Sequence, residues 1–359
     1  MTEGWDGADF RRRVQAALDG FLDEQAGLLA PLGPDAERLL AQGRVSVAGG
    51  KRFRAAFCHW GHRAVEPAPD DEEALVRACA ALELLHASAL VHDDLMDDSD
   101  TRRGRPATHR ALEAEHRAAG WSGPPGSYGA AGAILLGDLL QAWADELLRG
   151  AGFAVAPTAA ALSLFDRTRT EVIAGQFLDI SVQARGSADV DAAMTVLRYK
   201  SAKYSVERPL HIGAALAGAS EEQLAALSAY GLPLGEAFQL RDDLLGVFGD
   251  PDATGKPAGD DLVEGKRTVL VALALDAAKP ADAARLDAGL GTSLDQTEVA
   301  ELRRVIRDSG AEAQVEEAIS ALAARSLSAL DRAVGDGLLD AYAAGVLRSL
   351  AAAATERAR

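Results

Sequence analysis

Residues 84 to 109 read LLHASALVHDDLMDDSDTRRGRPATH. An apolar run without Gly or Pro leads into Asp93, Asp94 and Asp97, the pattern of a long helix, from about Ala74 to Met96, that carries carboxylates on its last turn. On such a helix Asp94 and Asp97 stand roughly 100° and 40° around the axis from Asp93, so all three can point to one side. Carboxylates placed this way repel one another, and the helix dipole disfavours them at that end by about 0.3–1 kcal/mol. A bridging cation removes both penalties. Arg102 and Arg103 add fixed positive charge within reach, so the stretch reads as a site that holds Mg²⁺ and an anion together. Mg²⁺ prefers oxygen ligands, keeps several waters and completes its shell with phosphate oxygens. From the residues alone, a solvated acidic helix end is the competing reading.

A second stretch, residues 238 to 268, reads FQLRDDLLGVFGDPDATGKPAGDDLVEGKRT. Another adjacent pair, Asp242 and Asp243, lies toward the end of a helix-like run, and Lys256 and Lys266 follow in a Gly-rich segment. Upstream of both, GGKRFR places Gly49 and Gly50 at a helix entrance and crowds Lys51, Arg52 and Arg54 there, a combination suited to an anion. Two acidic pairs, each followed by basic residues, with a third basic cluster ahead of them, form the motif order of the chain.

Composition narrows the classes that remain. The 359 residues carry a formal net charge of −17, which argues against nucleic acid or an anionic membrane surface as a partner and requires any anionic substrate to be held by local Lys and Arg. Ala and Leu are abundant, aromatics make up 5%, and linkers rich in Pro or Ser are scarce, so one large helical domain is expected. Asn is absent. Cys58 and Cys79 fit neither a zinc spacing nor CxxC and read as buried thiols compatible with a reducing cytoplasm. The first residues, MTEGWDGADFRRR, lack an apolar core and so do not read as a signal peptide. The most apolar stretch, residues 130 to 148, is interrupted by Asp138, Asp145 and Glu146, so no stable membrane insertion is expected.

From about Gly49 to Thr268, in this motif order, the chain resembles the trans-isoprenyl diphosphate synthases, also called polyprenyl synthetases. The resemblance implies an all-α, single-domain bundle of ten or more helices around a central cavity, assembled as a homodimer. It implies a prenyltransferase that condenses isopentenyl diphosphate with an allylic diphosphate over two or three Mg²⁺ ions. Asp93, Asp94, Asp97, Asp242 and Asp243 would hold the metal. Arg102, Lys200, Ser201, Gln239, Lys256 and Lys266 would grip the allylic diphosphate, and Lys51, Arg54, His86 and Arg103 would place isopentenyl diphosphate. Asp93, Asp94, Asp97, Arg102, Lys200, Asp242 and Asp243 form the catalytic set. Gln176 and Asp179 match a GQxxD pattern that lines the cavity, Lys200 and Ser201 stand where the family kinks a helix, and Glu207 and Pro209 read as helix-breaking. No general base stands out; in similar enzymes the released diphosphate takes the proton.

Two positions qualify the resemblance. The second family motif is commonly DDxxD, yet its fifth position here is Gly246, with Asp250 a further turn along. Ser88 and Ala89 stand where farnesyl-producing relatives carry aromatic rings. With Leu85 and Leu82 as a floor about 12–16 Å from Asp93, at roughly 1.5 Å per residue, three to four isoprene units fit at about 4–5 Å each. Geranylgeranyl diphosphate is therefore the expected product, with farnesyl or longer chains as alternatives. A class I terpene cyclase is disfavoured because its second metal motif usually contains Asn. A non-catalytic subunit of a heteromeric synthase has only Gly246 in its favour.

Overall fold

Short polar side chains set the helix starts. The Asp6 carboxylate accepts from the backbone N–H groups of Ala8 and Asp9 at the start of α1 (Gly7–Leu29), and Asp71 does the same for Ala74 ahead of α4 (Glu72–Met96). Ser220 and Gln223 form a reciprocal capping box at the start of α10 (Glu221–Phe248). Each satisfies donors that a bare helix end leaves open.

The computed structural model describes residues 5–186, 189–249 and 259–355. Between α1 and α10 run α2 (Pro34–Val47), α3 (Phe53–Val65), α5 (Thr108–Ala119), α6 (Pro125–Arg149), α7 (Val155–Arg185), α8 (Val190–Val196), a π-helical segment (Leu197–Glu207) and α9 (Arg208–Leu216). After α10 come α11 (Asp260–Val263), α12 (Val269–Ala277), α13 (Pro280–Gly289), α14 (Gln296–Asp308), α15 (Ala311–Gly335) and α16 (Ala341–Thr355). The strands described are one antiparallel pair of two residues each, Thr101–Arg102 with Arg105–Pro106. This is the all-α bundle expected from composition and resemblance.

The core has two parts. One gathers apolar side chains of α1, α3, α4, α6, α9 and α16, with Trp60, Phe57, Phe165 and Tyr230 as its largest fully buried members. The other joins the second half of α10 to α12, α14 and α15. Helix α4 runs through the first, and 78% of its most apolar window is buried. Residues 130–148 are therefore not the most apolar stretch: α4 is the one described helix long and apolar enough to cross a membrane, and its burial explains its hydropathy, because a helix packed on all sides needs little polar surface.

The Gly/Pro-rich residues 120–124 join α5, ending at Ala119, to α6, starting at Pro125, and Trp121 in this connection packs on His116 and Tyr128. One local expectation is also corrected: Glu207 and Pro209 do not break the chain. The π-helical segment passes directly into α9, where Pro209 sits in the first turn and needs no N–H partner. Glu207 is buried against Lys203, whose Nζ lies 3.0 Å away.

Candidate active site

A cavity of about 830 Å³ opens between α3, α4, α7, the π-helical segment, α10 and the turn from α11 to α12. Asp93 reaches it from the last turn of α4, and Asp242 and Asp243 reach it from α10. Gln239, Lys200, Ser201, Lys266 and Arg102 line the same wall, while Lys51, Arg54, His86 and Arg103 line the other end. Lys256 and Asp250 lie outside the described residues.

The first acidic turn is divided in its use. Asp93 accepts from Gln176 Nε2 at 2.8 Å and lies 3.4 Å from Lys200 Nζ, and Lys200 is tied back by Asp179 at 2.6 Å. Asp97 pairs with Lys266 at 3.4 Å. Asp94 is different: it is buried against the Arg102 guanidinium, whose Nε donates to it at 2.8 Å, and it is absent from the cavity wall. Arg102 is thereby oriented by Asp94. Of the three, Asp93 alone lines the cavity wall, and Asp97 stands behind it, reaching the wall through Lys266.

Charge in the site is unevenly compensated. Burial pulls the Asp93 carboxyl upward, but Lys200, Lys266 and Arg102 outweigh it, so Asp93 sits below the ordinary carboxylate range. Burial and the neighbouring Asp93 charge push Asp97 up to about 6. Asp243 is pushed up to about 8 by burial, with Asp261 and Asp242 adding to it and the hydrogen bond from Gln239 opposing. Lys266 is held well above its usual value because Asp261, Glu264, Asp97 and Asp93 together outweigh its burial.

Negative charge held against this cost in an oxygen-only donor set fits a hard divalent cation. Among the described residues no group of three His, Cys, Asp or Glu is preassembled around one point. Gly246 is explained by packing: a Cβ there would overlap the Asp261 carboxylate, which projects from α11 against this turn of α10. The space that an aspartate side chain would need is already filled by another carboxylate.

At the other end, Arg54 donates to Ser205 Oγ at 2.8 Å and lies 4.3 Å above the Tyr204 ring. The Tyr204 hydroxyl meets His86 Nδ1 at 3.2 Å. Burial, reinforced by Arg54 and Arg103, keeps His86 well below its usual value and therefore neutral near pH 7. Burial pushes Tyr204 up to about 12. Sequence reasoning missed Tyr204; its signal was the spacing of four from Lys200 on a polar helical face. Arg52, Asp98 and Arg103 adopt left-handed backbone conformations at φ 56°, 53° and 54°, uncommon outside glycine.

The wall below Asp93 differs from expectation. Ala89 and Leu90 line it, but Ser88, Leu85 and Leu82 are buried in packing and absent from it. Helical phase accounts for two of the three: Ser88 and Leu85 stand roughly 140° and 80° around the axis from Asp93. Leu82 keeps the phase at roughly 20° and packs in the core beneath Glu83, the deepest α4 residue on the wall.

Comparison with known proteins agrees with this arrangement. The polyprenyl synthetase family model matches residues 37–308. A short chain isoprenyl diphosphate synthase of Methanothermobacter thermautotrophicus is 34% identical over 304 residues, 84% of this chain and 85% of the relative. A geranylgeranyl diphosphate synthase of Methanosarcina mazei is 34% identical over 71% of each chain. The crystal structure of geranylgeranyl pyrophosphate synthase from Corynebacterium glutamicum, complexed with isoprenyl diphosphate and magnesium, superposes with a TM-score of 0.95 at 42% identity, covering 99% of this chain and 100% of that one. A helical bundle with two acidic turns on one cavity, matched by family model and by relatives along most of their length, leaves one assignment: the chain belongs to the polyprenyl synthetase family and is a prenyltransferase.

Proposed function

We propose that this prenyltransferase condenses isopentenyl diphosphate with an allylic diphosphate and releases geranylgeranyl diphosphate. One observation carries the reading: Asp93, Asp242 and Asp243 share a single cavity with Lys51 and Arg54, so an acidic end and a basic end face one cleft. Asp93, Asp97, Asp242 and Asp243 would hold two or three Mg²⁺ ions. Bound Mg²⁺ supplies the positive charge that a departing diphosphate requires.

The remaining work falls to side chains of this chain. Lys200, Ser201, Gln239, Lys266 and Arg102 grip the allylic diphosphate and spread its charge as the C–O bond breaks. Lys51, Arg54 and Arg103 bind the second diphosphate, and neutral His86 adds a hydrogen bond without further charge. Phe57, Val172, Phe238, Ala89 and Leu90 on the wall exclude water from the allylic cation and align it with the double bond that attacks it. The proton lost from the new chain goes to the released diphosphate, since His86 is engaged with Tyr204 at the isopentenyl end. Small Ala89 leaves the wall below Asp93 open, which favours a long product.

We also propose one domain, a homodimer and a reducing cytoplasmic setting. Ile134 and Leu135 on α6 and Ile173 and Phe177 on α7 are exposed large apolar residues, and Ile173 and Phe177 line a groove that Gln141 of α6 closes on its other side, a face suited to a second copy. Cys58 and Cys79 are free and buried. Light scattering of the purified chain and of Phe177→Asp tests the dimer: the substitution should give monomers.

Incubation of the purified chain with isopentenyl diphosphate, farnesyl diphosphate and Mg²⁺ tests the activity. The expected product is a C20 diphosphate. A cyclised hydrocarbon would support a terpene cyclase, and no product would support a non-catalytic subunit.

A further inference from the structure

The cavity's basic end rests on a buried ion pair, Arg52 with Glu83, whose two members also line the cavity. Arg52 follows Lys51 in left-handed conformation, φ 56°, and this reversal sends the two side chains apart. Lys51 is exposed at the cavity mouth, while Arg52 turns inward and is only 5% exposed. Its Nη1 donates to Glu83 Oε2 at 3.0 Å. Its Nη2 donates to the Val47 carbonyl at 2.5 Å and to Gln15 Oε1 at 2.6 Å. With both terminal nitrogens engaged by protein acceptors, Arg52 is poorly placed to take a diphosphate.

Glu83 completes the device. It is 4% exposed, and besides Arg52 it accepts from the Ala55 backbone N–H at 3.3 Å, inside the first turn of α3. Gly49 N–H donates to Gln15 Oε1 at 3.3 Å, so the loop is fixed from α1 as well. Glu83 lies on α4 one turn before His86 and just under three turns before Asp93, roughly 15 Å along the axis. One straight helix therefore carries the anchor of the GGKRFR loop, the histidine of the basic end and the first acidic turn.

We infer that the Arg52–Glu83 pair is a positioning device for isopentenyl diphosphate: it clamps the loop bearing Lys51 and Arg54 onto α4 and so fixes their separation from the acidic turns. This rests on the assignment of Lys51 and Arg54 to isopentenyl diphosphate. Arg52 and Glu83 touch no reacting atom in this scheme; they act through Lys51 and Arg54.

Replacing both members of a buried ion pair with apolar groups of similar size often leaves stability unchanged or raised, whereas removing one strands a charge. The test is therefore the double variant Arg52→Met/Glu83→Leu, with Glu83→Gln as a second variant that keeps the shape and the acceptor for Ala55 N–H. Steady-state kinetics give KM for isopentenyl diphosphate, KM for farnesyl diphosphate and kcat, and thermal melts report folding. In variants that melt within a few degrees of the parent, KM for isopentenyl diphosphate should rise about 10-fold or more, about 1.4 kcal/mol, with KM for farnesyl diphosphate within about twofold. Arg52→Lys should recover part of the loss. An unchanged KM for isopentenyl diphosphate in the folded variants overturns the inference, as does a parallel rise of both KM values with a falling melting temperature. Lys51→Ala is the control: if it leaves KM for isopentenyl diphosphate unchanged, the site assignment fails, and this inference falls with it.

Discussion

Lys266 Nζ lies 3.4 Å from Asp97 Oδ2, so a lysine that follows the second acidic turn is ion-paired with the last aspartate of the first. Lys266 also meets Asp261 at 3.6 Å and pairs with Glu264. It ties the first acidic turn to α11 and lines the cavity beside Asp243, where the allylic diphosphate would arrive. Lys266→Ala should lower kcat/KM for the allylic substrate by about 10²-fold, roughly 2.7 kcal/mol, with little change in KM for isopentenyl diphosphate. Initial rates with each substrate varied in turn decide the matter, and equal losses for both would count against it.

Gly246 gives a prediction whose sign is decisive. In an ordinary helix interior, Gly→Ala stabilises by about 0.8–1.0 kcal/mol. Here a Cβ would overlap the Asp261 carboxylate, and moving that carboxylate would lengthen its 3.6 Å contact with Lys266. Gly246→Ala should therefore lower the melting temperature and Gly246→Asp should lower it further, along with activity. A melting temperature raised by Gly246→Ala would show that Asp261 yields freely.

Ala89 sits on the cavity wall one turn before Asp93. Ala89→Phe should fill the space that a growing chain enters and shift the product toward the C15 diphosphate, read by chromatography of the dephosphorylated products. An unchanged product length would place the growing chain against another wall.

Acid sensitivity follows from histidines buried as neutral rings. Burial, the largest cause, holds His62 at about 4, whereas the unfolded chain returns it to about 6.5. The folded value is depressed, so the unfolded state binds the proton first. Stability from this group is complete above about pH 6.5 and is lost as pH falls toward 4. Between pH 7.5 and 5 the loss from His62 is about 2 kcal/mol at 1.36 kcal/mol per unit. His62→Phe should keep the packing on Phe153 and remove that share, making denaturant stability less dependent on pH over this interval. An equal dependence in parent and variant would contradict it.

Much of this was legible in the sequence because the signals were local. The apolar run into Asp93, the helix-like run into Asp242 and Asp243 and the cations of GGKRFR act within a few turns, and they place α4, α10 and the basic end. What stayed hidden depended on how helices meet. Asp93 and Asp94 look equivalent in sequence, but Arg102, returning through its short strand pair, takes Asp94 for itself. Gly246 read as a missing aspartate until Asp261, from another helix, was seen in its place. Tyr204 joins Arg54 and His86 only because the π-helical segment carries it toward α3 and α4. Leu85 and Ser88 were misplaced for a simpler reason: counting depth along α4 ignored their angle around it.

The most direct measurement is turnover of Asp93→Ala and Asp243→Ala at saturating Mg²⁺, each checked for folding by its melting curve. Folded variants that lose orders of magnitude in kcat are the expected result, since one carboxylate from each turn would then be needed around the same leaving group. Turnover equal to the parent in either variant would contradict the shared site.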